Sequence, residues 1–347
     1  MSTIDASSLS FAKDSSENDN LALIQCRYKD MLITCPKEKG WVSENLYMYQ
    51  GFWHFSNISY DVFSIEAMMA IQNTFQAQPT DIYLITLPKS GTTWIKAVTY
   101  AIVNRERYKN STLSSHPLLA YNPHKCVPFL ETEVFGKTSV YVDGCLPRLF
   151  ATHIPYTSLL QSILDSGCRI VYMCRNPKDV LVSLFHFTNK LRDKSRCQMA
   201  FDEAFEMFSK GIMPYGPYWD HVKGYYNFSL EHPKSILFLT YEDMKEDTVN
   251  RVKHIAEFLG YPFTKEEEAR GVVGEIVRLC GFKSLSEVNK HGDFREGVPN
   301  DAFFREGKVG DWRKHLTDEM TKVLTQITEQ KFHGMDISFE VGAHVQN

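Results

Sequence analysis

The chain has 347 residues, of which 43% are hydrophobic and 23% are charged. This balance is typical of globular proteins and excludes wholesale disorder. The formal net charge of −4 argues against a general surface for nucleic acid or anionic membrane, so any basic site must be local. Aromatic residues reach 13%, which suits a protein that lines an apolar pocket, although large cores use them too.

The chain ends and the cysteines carry no sign of secretion. The first 20 residues are rich in Ser, Asp and Asn and lack an apolar run, so residues 1–20 are predicted to be a flexible tail rather than a signal peptide. The eight cysteines form no C-x-x-C pair, which favours free thiols over a disulfide framework. No stretch approaches the roughly 18 apolar residues of a membrane span. Residues 21–347 contain no linker or repeat, so we expect one domain in the cytoplasm.

Short β-branched runs alternate with amphipathic segments along the chain. The predicted strands are Asp81–Thr86, Arg148–His153, Arg169–Cys174 and Ser235–Thr240. The predicted helices are Thr93–Arg107, a helix that begins at Pro177, Asp247–Leu259 and Lys265–Cys280. This alternation predicts an α/β fold, a single domain with a mostly parallel central sheet flanked by helices. Ligands of such sheets bind at the carboxyl ends of the strands.

The segment Leu87–Trp94, with the sequence LPKSGTTW, follows the first strand and opens its helix. Gly91 lets the backbone approach an anion, the serine and two threonines add hydroxyl donors, and Lys89 supplies a full charge. Together with the N–H groups of the helix start, these residues favour a phosphate-type site over a simple capped helix. The segment is not a Walker A loop, and no apolar strand ends in an obvious Mg²⁺-binding Asp, so metal-dependent nucleotide chemistry is unsupported.

Further polar residues follow the other strands. Arg175 follows the third strand, where a guanidinium can bind phosphate bidentately, and Ser183 lies two helical turns later on about the same face. Either residue alone is more simply a surface residue, but beside the first loop they indicate two phosphate-sized charges. His153 ends a strand at the same carboxyl edge. The Gly-punctuated basic segment Phe303–Trp312, taken alone, is more simply a surface loop than a lid.

Taken together, these motifs resemble those of the cytosolic sulfotransferase family from about Pro36 to Phe332, and the segment Tyr47–Trp53 is similar to the plant branch. The resemblance implies a P-loop-like fold that binds the donor 3′-phosphoadenosine 5′-phosphosulfate (PAPS) without a metal and releases adenosine 3′,5′-bisphosphate (PAP). It implies transfer of a sulfuryl group to a hydroxyl of a small, largely apolar acceptor. Acceptors of plant relatives include flavonols, hydroxyjasmonates, steroids and desulfoglucosinolates, and the sequence does not choose among them. The type expected here is a flavonoid or other phenolic, a steroid or a hydroxyjasmonate.

The resemblance also implies roles for individual residues. The positions that match cofactor-binding positions of the family are Lys89, Ser90, Gly91, Thr92, Thr93, Trp94, Arg175, Ser183, Tyr241, Phe282, Arg305, Glu306 and Gly307. Within them, the loop from Lys89 to Trp94 would hold the 5′-phosphosulfate, and Arg175 and Ser183 would hold the 3′-phosphate. His153 matches the catalytic base, and Lys89 would stabilise the leaving phosphate.

Three positions depart from the family pattern. Glu306 stands where the phosphate lid normally has a lysine, which adds a negative charge beside the 3′-phosphate. Ala151, two residues before His153, replaces a lysine of animal relatives that plant relatives often lack as well. Residues Lys314–Asp318 do not match the animal dimerisation motif, so a monomer is expected.

Two other functions stay open at this stage. A metal-dependent nucleotide kinase would need Mg²⁺ and ATP, and Glu306 makes a catalytically silent PAP-binding protein conceivable. Intact Lys89 and His153 favour the enzyme. Aromatic candidates for the acceptor pocket, each equally well explained by core packing, are Phe52, Trp53, Phe129, Phe185, Tyr215 and Tyr218.

Overall fold

The computed structural model describes residues 28, 30–55, 64–108, 116–133, 147–192, 195–295 and 298–340. The tail predicted for residues 1–20 lies outside these ranges. The strands are β1 (Lys37–Lys39), β2 (Asn45–Tyr49), β3 (Phe52–Phe55), β4 (Ile82–Thr86), β5 (Leu149–Thr152), β6 (Arg169–Cys174), β7 (Ile236–Thr240), β8 (Asp293–Arg295) and β9 (Val298–Pro299). The first helices are α1 (Ile65–Thr74), α2 (Thr92–Tyr108), α3 (Pro123–Cys126), α4 (Leu130–Glu133), α5 (Gln161–Asp165), α6 (Pro177–Leu191) and α7 (Phe201–Ser209). The remaining α-helices are α8 (Tyr218–Glu231), α9 (Tyr241–Glu246), α10 (Thr248–Phe258), α11 (Lys265–Ala269), α12 (Val272–Leu279), α13 (Phe282–Val288) and α14 (Asp318–Lys331).

The central sheet is parallel and has the strand order β5-β4-β6-β7. Its strands are continuous apolar runs, and all five residues of β4 are buried. Such runs form strands that are covered on both faces, because no side of the strand has to meet water. The parallel α/β fold predicted from the alternating pattern is confirmed, and each of the four predicted strands is found within one residue at either end.

Helices cover both faces of this sheet. Because side chains alternate along a strand, Tyr83 and Ile85 of β4 join one hydrophobic cluster, whereas Ile82 and Leu84 join the other. The first cluster includes Trp219 of α8, and the second includes residues of α2 and α10. With both faces covered, the carboxyl ends of the strands are left for ligands.

One predicted helix is wrong in its extent. The segment Lys265–Cys280 forms two helices, α11 and α12, separated at Gly271. Gly271 has a φ of 78°, the left-handed conformation in which glycine often follows the end of a helix. By contrast, α6 begins at Pro177 as predicted, and the Asn176 side chain caps it by accepting a hydrogen bond from the Lys178 N–H at 3.0 Å.

A tight hairpin joins β2 to β3 within the segment Tyr47–Trp53. Its turn residues, Gln50 and Gly51, both have positive φ (51° and 85°), the backbone geometry of a type I′ turn. Strand β3 is tied to the loop before α8, because the Tyr215 N–H donates to the Trp53 carbonyl at 2.7 Å. The hairpin therefore fixes the position of Tyr215.

Over the described ranges, each helix is too short or too polar to pass through a lipid bilayer. The cysteines within these ranges, all of them free thiols as predicted, are Cys35, Cys126, Cys168, Cys174, Cys197 and Cys280.

His54 of β3 makes the stability of the fold sensitive to acid. Its ring is 2% exposed, Nε2 is buried without a hydrogen-bond partner, and burial lowers the pKa of His54 to about 3. An unfolded imidazole has a pKa of about 6.5, so between these values the unfolded chain binds a proton that the folded chain does not. The free energy of unfolding must therefore fall as the pH falls through this window.

We expect His54→Phe, which keeps an aromatic ring beside Tyr215, to reduce this slope by about 1.4 kcal/mol per pH unit. Urea unfolding of both proteins between about pH 4.5 and 6 measures the slope. Substitution of the exposed His254 by Phe is the control and should leave it unchanged. Equal slopes for wild type and His54→Phe would contradict the burial of an uncharged imidazole.

Candidate active site

A cavity of about 420 Å³ lies where the four parallel strands end. Each strand supplies lining residues just after its last residue: β4 through Lys89, β5 through His153, β6 through Arg175 and β7 through Tyr241. The structure brings together nearly all residues predicted for the site, namely Lys89, Gly91, Thr92, Thr93, Trp94, His153, Arg175, Ser183, Tyr241, Phe282, Arg305, Glu306 and Gly307. Ser90 is fully buried and does not line the cavity.

The loop between β4 and α2 is held in a tight left-handed path. Lys89 has a φ of 69°, which is uncommon for a residue with a side chain, and Gly91 has a φ of 104°. A Cβ atom at Gly91 would lie 2.6 Å from Cε of Met173 and 2.9 Å from Cδ2 of Tyr241, so the position requires glycine. Helix α2 therefore begins at the cavity, and its first N–H groups lie where they can bind an anion.

Positive charge is concentrated beside this loop. Burial, together with the charges of Arg175 and Arg305, lowers the pKa of Lys89 to about 7. The Lys89 Nζ lies 3.9 Å from the centre of the Phe187 ring. Arg175 and Arg305 repel a charged Lys89 even though Asp179 and Asp311 offset part of their charge, and a bound anion would reduce that repulsion.

Several polar atoms at this site are buried without hydrogen-bond partners. They are Nε of Arg175 and Nε of Arg305, which belong to residues that line the cavity, and Oγ of Ser90, which does not. Leaving such an atom unpaired costs about 1–3 kcal/mol, so most folded proteins satisfy it. Both arginine side chains line the cavity, and guanidinium groups there suit a ligand with phosphate-like oxygens.

Arg175 is fixed by contacts from three directions. Its Nη2 donates to the Lys308 carbonyl at 2.7 Å and lies 3.6 Å from the Asp179 carboxylate. Its guanidinium carbon lies 4.5 Å from the centre of the Tyr241 ring. Ser183, two turns along α6, is also buried and lines the same cavity.

The segment Phe303–Trp312 is not the simple surface loop that it suggests when taken alone. The Asp179 carboxylate accepts hydrogen bonds from the N–H groups of Gly310 at 2.7 Å and Trp312 at 3.0 Å. The Tyr241 hydroxyl donates to the Gly307 carbonyl at 3.0 Å. The segment is therefore fastened over the carboxyl edge of the sheet.

Charges within this segment are already paired. Arg305 forms an ion pair with Asp311 at 2.6 Å, and Glu306 forms one with Lys308 at 3.1 Å. Gly307 packs so closely on Phe282 that a Cβ atom there would lie 2.3 Å from Cδ2 of the ring. The negative charge of Glu306 is thus offset by a lysine two residues later.

His153 follows β5 and is 8% exposed. Its Nδ1 lies 2.6 Å from the Thr86 carbonyl, which can only accept, so Nδ1 carries the proton and Nε2 is the basic nitrogen. Burial, with the nearby charges of Lys96 and Lys89, lowers the pKa of His153 to about 3. The imidazole is therefore neutral at neutral pH.

Aromatic residues line the part of the cavity around His153. The rings of Phe129 and Tyr215 lie 5.2 Å and 5.4 Å from it, and both of these acceptor-pocket candidates line the cavity. The other four candidates do not line this cavity: Phe52, Trp53, Phe185 and Tyr218. Aromatic residues that also line the cavity but were not among the acceptor-pocket candidates are Phe55, Phe187, Phe294, Phe303 and Phe304.

Sequence reasoning also missed three polar residues. His124 lines the cavity, Lys96 is fully buried in α2, and Asp179 holds the segment over the sheet edge. One signal was available, since Lys96 interrupts the apolar face of its helix. Within the described ranges, no three His, Cys, Asp or Glu side chains converge as metal ligands.

Comparison with known proteins agrees with this architecture. The sulfotransferase domain model matches residues 79–336. Flavonol 4′-sulfotransferase of Flaveria chlorifolia is 44% identical over 302 residues, which cover 86% of this chain and 91% of that one. Cytosolic sulfotransferase 12 of Arabidopsis thaliana is 42% identical over 313 residues, 89% of this chain and 93% of that one.

Solved structures agree as well. The crystal structure of a candidate steroid sulphotransferase from Arabidopsis thaliana superposes with a TM-score of 0.68 at 36% identity, covering 96% of this chain and all of the other. A mouse sulfotransferase complexed with PAP gives a TM-score of 0.60 at 25% identity, covering 84% of this chain and 96% of that one. The family resemblance predicted from the motifs, including its plant branch, is confirmed, and the chain belongs to the sulfotransferase family.

Proposed function

We propose that the protein transfers the sulfuryl group of PAPS to a hydroxyl of a small, largely apolar acceptor, of the flavonoid, other phenolic, steroid or hydroxyjasmonate type. One observation carries the proposal: a cationic loop and a neutral, buried imidazole line the same cavity. The PAP bound to the mouse relative supports the choice of donor, and the flavonol and the steroid in the names of two plant relatives support the flavonoid and steroid types of acceptor.

The residues present fit the nucleotide. The loop from Lys89 to Trp94 and the first N–H groups of α2 would hold its 5′ side. Arg175 and Ser183 would hold the 3′-phosphate, and the Arg305 side chain, which also lines the cavity, would offer a further guanidinium.

Aromatic rings would hold the adenine. Trp94 and Phe282 both line the cavity, and Trp94 meets Tyr241 edge to face at 5.3 Å. Glu306 does not oppose binding in this arrangement, because its charge is paired with Lys308. This pairing weakens the case for a catalytically silent nucleotide-binding protein.

The chemistry needs a base and a cation. A hydroxyl is a poor nucleophile until its proton begins to leave, and Nε2 of His153 would accept that proton. PAPS supplies the sulfuryl group, whose departure leaves negative charge on a phosphate oxygen. Lys89 and the loop N–H groups would stabilise that charge. The same anion would raise the pKa of His153, since an opposite charge favours the protonated imidazole.

The proposal requires no metal, unlike the nucleotide kinase alternative. The relatives that are named cytosolic support a cytoplasmic location, and a monomer stays a prediction.

We expect transfer of radiolabelled sulfate from PAPS to at least one member of a panel of flavonols, simple phenols, steroids and hydroxyjasmonates. Transfer should be unchanged by EDTA, because lysine and backbone donors stabilise the leaving group. ATP with Mg²⁺ is the control donor. Phosphate transfer from ATP would favour the kinase, and PAP binding without turnover across the panel would favour the silent protein.

We expect His153→Ala to lower the turnover number by on the order of 10²–10⁴, since it removes the proton acceptor. The affinity for PAP, measured by isothermal titration calorimetry, should stay near that of wild type. Substitution of the exposed His254 by Ala is the control and should keep full activity. A His153→Ala protein with normal turnover would remove this imidazole from the mechanism.

The low pKa of Lys89 predicts that PAP binding depends on pH. With a pKa of about 7 before binding, Lys89 loses its proton as the pH rises, and a bound anion must recover it. We therefore expect the Kd for PAP to rise by up to about tenfold per pH unit above pH 7. Lys89→Met should bind PAP more weakly at pH 7 and abolish this dependence, whereas Lys283→Met, on the surface, should retain it. A flat profile for wild type would contradict the assignment of Lys89.

A further inference from the structure

His124 and Lys96 have no part in the reaction described above, yet both are buried beside the loop from Lys89 to Trp94. The Nε2 atom of His124 lies 3.0 Å from Oγ1 of Thr93, and its Nδ1 atom lies 3.0 Å from Nζ of Lys96. Thr93 belongs to the loop that binds the 5′ side of the nucleotide in the proposed function. One imidazole thus connects a buried lysine to a residue of the anion site.

The position of His124 is well determined. Its ring stacks on Phe129 at 5.3 Å with an interplanar angle of 15°, and the Phe303 ring lies 4.5 Å away. Its backbone N–H donates to Asn122 Oδ1 at 3.0 Å, and the Asn122 amide donates in turn to Asn300 at 3.1 Å. A ring packed and bonded in this way can fix the direction of a hydrogen bond.

The contact with Lys96 favours one tautomer of His124, because a lysine that donates to Nδ1 leaves the ring proton on Nε2. Nζ of Lys96 lies 3.3 Å from the centre of the Phe129 ring, whose π face accepts N–H groups. Lysine nitrogen carries hydrogens whether or not it is charged, so in either state it can donate to Nδ1 of His124. Burial, with the charge of Lys96, holds the pKa of His124 well below its usual value, and the ring is neutral. Its single N–H is then on Nε2 and points to Thr93.

A hydroxyl that accepts from Nε2–H does not use its own proton in that bond. We propose that His124, oriented by Lys96, is a positioning residue that keeps the Thr93 hydroxyl proton directed to the 5′-side phosphate of the bound nucleotide. The inference rests on the proposed function, since it requires that the Lys89–Trp94 loop binds this phosphate. It excludes His124 as a second catalytic base, because both of its nitrogens are engaged.

The test is a double-mutant cycle on nucleotide affinity. Calorimetry would measure binding of PAP to wild type, His124→Phe, Thr93→Val and the double variant. Phenylalanine keeps the stacked ring and removes both hydrogen bonds. We expect His124→Phe to weaken PAP binding about tenfold, the effect of one hydrogen bond to a charged group, and to add little when Thr93 is already valine. His124→Gln, which can still donate from its amide toward Thr93, should recover most of the affinity.

Adenosine 3′-phosphate, which lacks the 5′-phosphate, is the matched ligand control, and its affinity should be the same in wild type and His124→Phe. Loss of affinity for both ligands would reduce His124 to a packing residue. Unchanged or tighter PAP binding by His124→Phe would also overturn the proposal, because it would mean that Thr93 donates to His124. If thermal melting reveals that His124→Phe is unfolded, Lys96→Met takes its place. Lys96→Met should weaken the binding of PAP but not that of adenosine 3′-phosphate. Equal PAP affinity of Lys96→Met and wild type would overturn the proposal. A wild-type protein that binds neither nucleotide would instead refute the proposed function.

Discussion

The in-register pairing of four parallel strands is the constraint on which the rest of the structure depends. Because β4, β5, β6 and β7 run in one direction, their last residues lie side by side, as in the pairs Ile85 with Thr152 and Cys174 with Thr240. Residues far apart in the chain thereby meet at one edge. The hydrogen bond from His153 Nδ1 to the Thr86 carbonyl joins two of these strand ends and also selects the basic nitrogen.

The positive charges and the unpaired donors at the site lower the free energy of unfolding of the ligand-free protein. Lys89 loses basicity there, and the Nε atoms of Arg175 and Arg305 have no partner. The two hydrophobic clusters that cover the faces of the sheet offset this cost. A bound nucleotide with two anionic groups would relieve the repulsion between the cations. The free energy of unfolding should therefore be higher with the nucleotide than without it.

Much of this arrangement could be predicted from the sequence, for physical reasons. Continuous apolar runs identify buried strands, and a loop such as LPKSGTTW leaves few conformations other than a strand end and a helix start. The break at Gly271 was missed because a glycine at a helix end looks the same as one inside a helix. Aromatic side chains such as Phe52 and Tyr218 look like pocket residues in sequence, since only the packing decides which face of an element they occupy. The contact of His124 with Lys96 joins segments whose approach no local pattern encodes.

The fastening of the Phe303–Trp312 segment has a consequence for synthesis of the protein. Arg175 and Lys308 are 133 residues apart in the chain. Asp179 lies 131 and 133 residues before Gly310 and Trp312, from whose N–H groups it accepts hydrogen bonds. In a nascent chain, the Asp179 carboxylate and Nη2 of Arg175 therefore lack these partners after β6 and the start of α6 have been synthesised. The carboxyl edge of the sheet can therefore be completed only after residues 308–312 have left the ribosome.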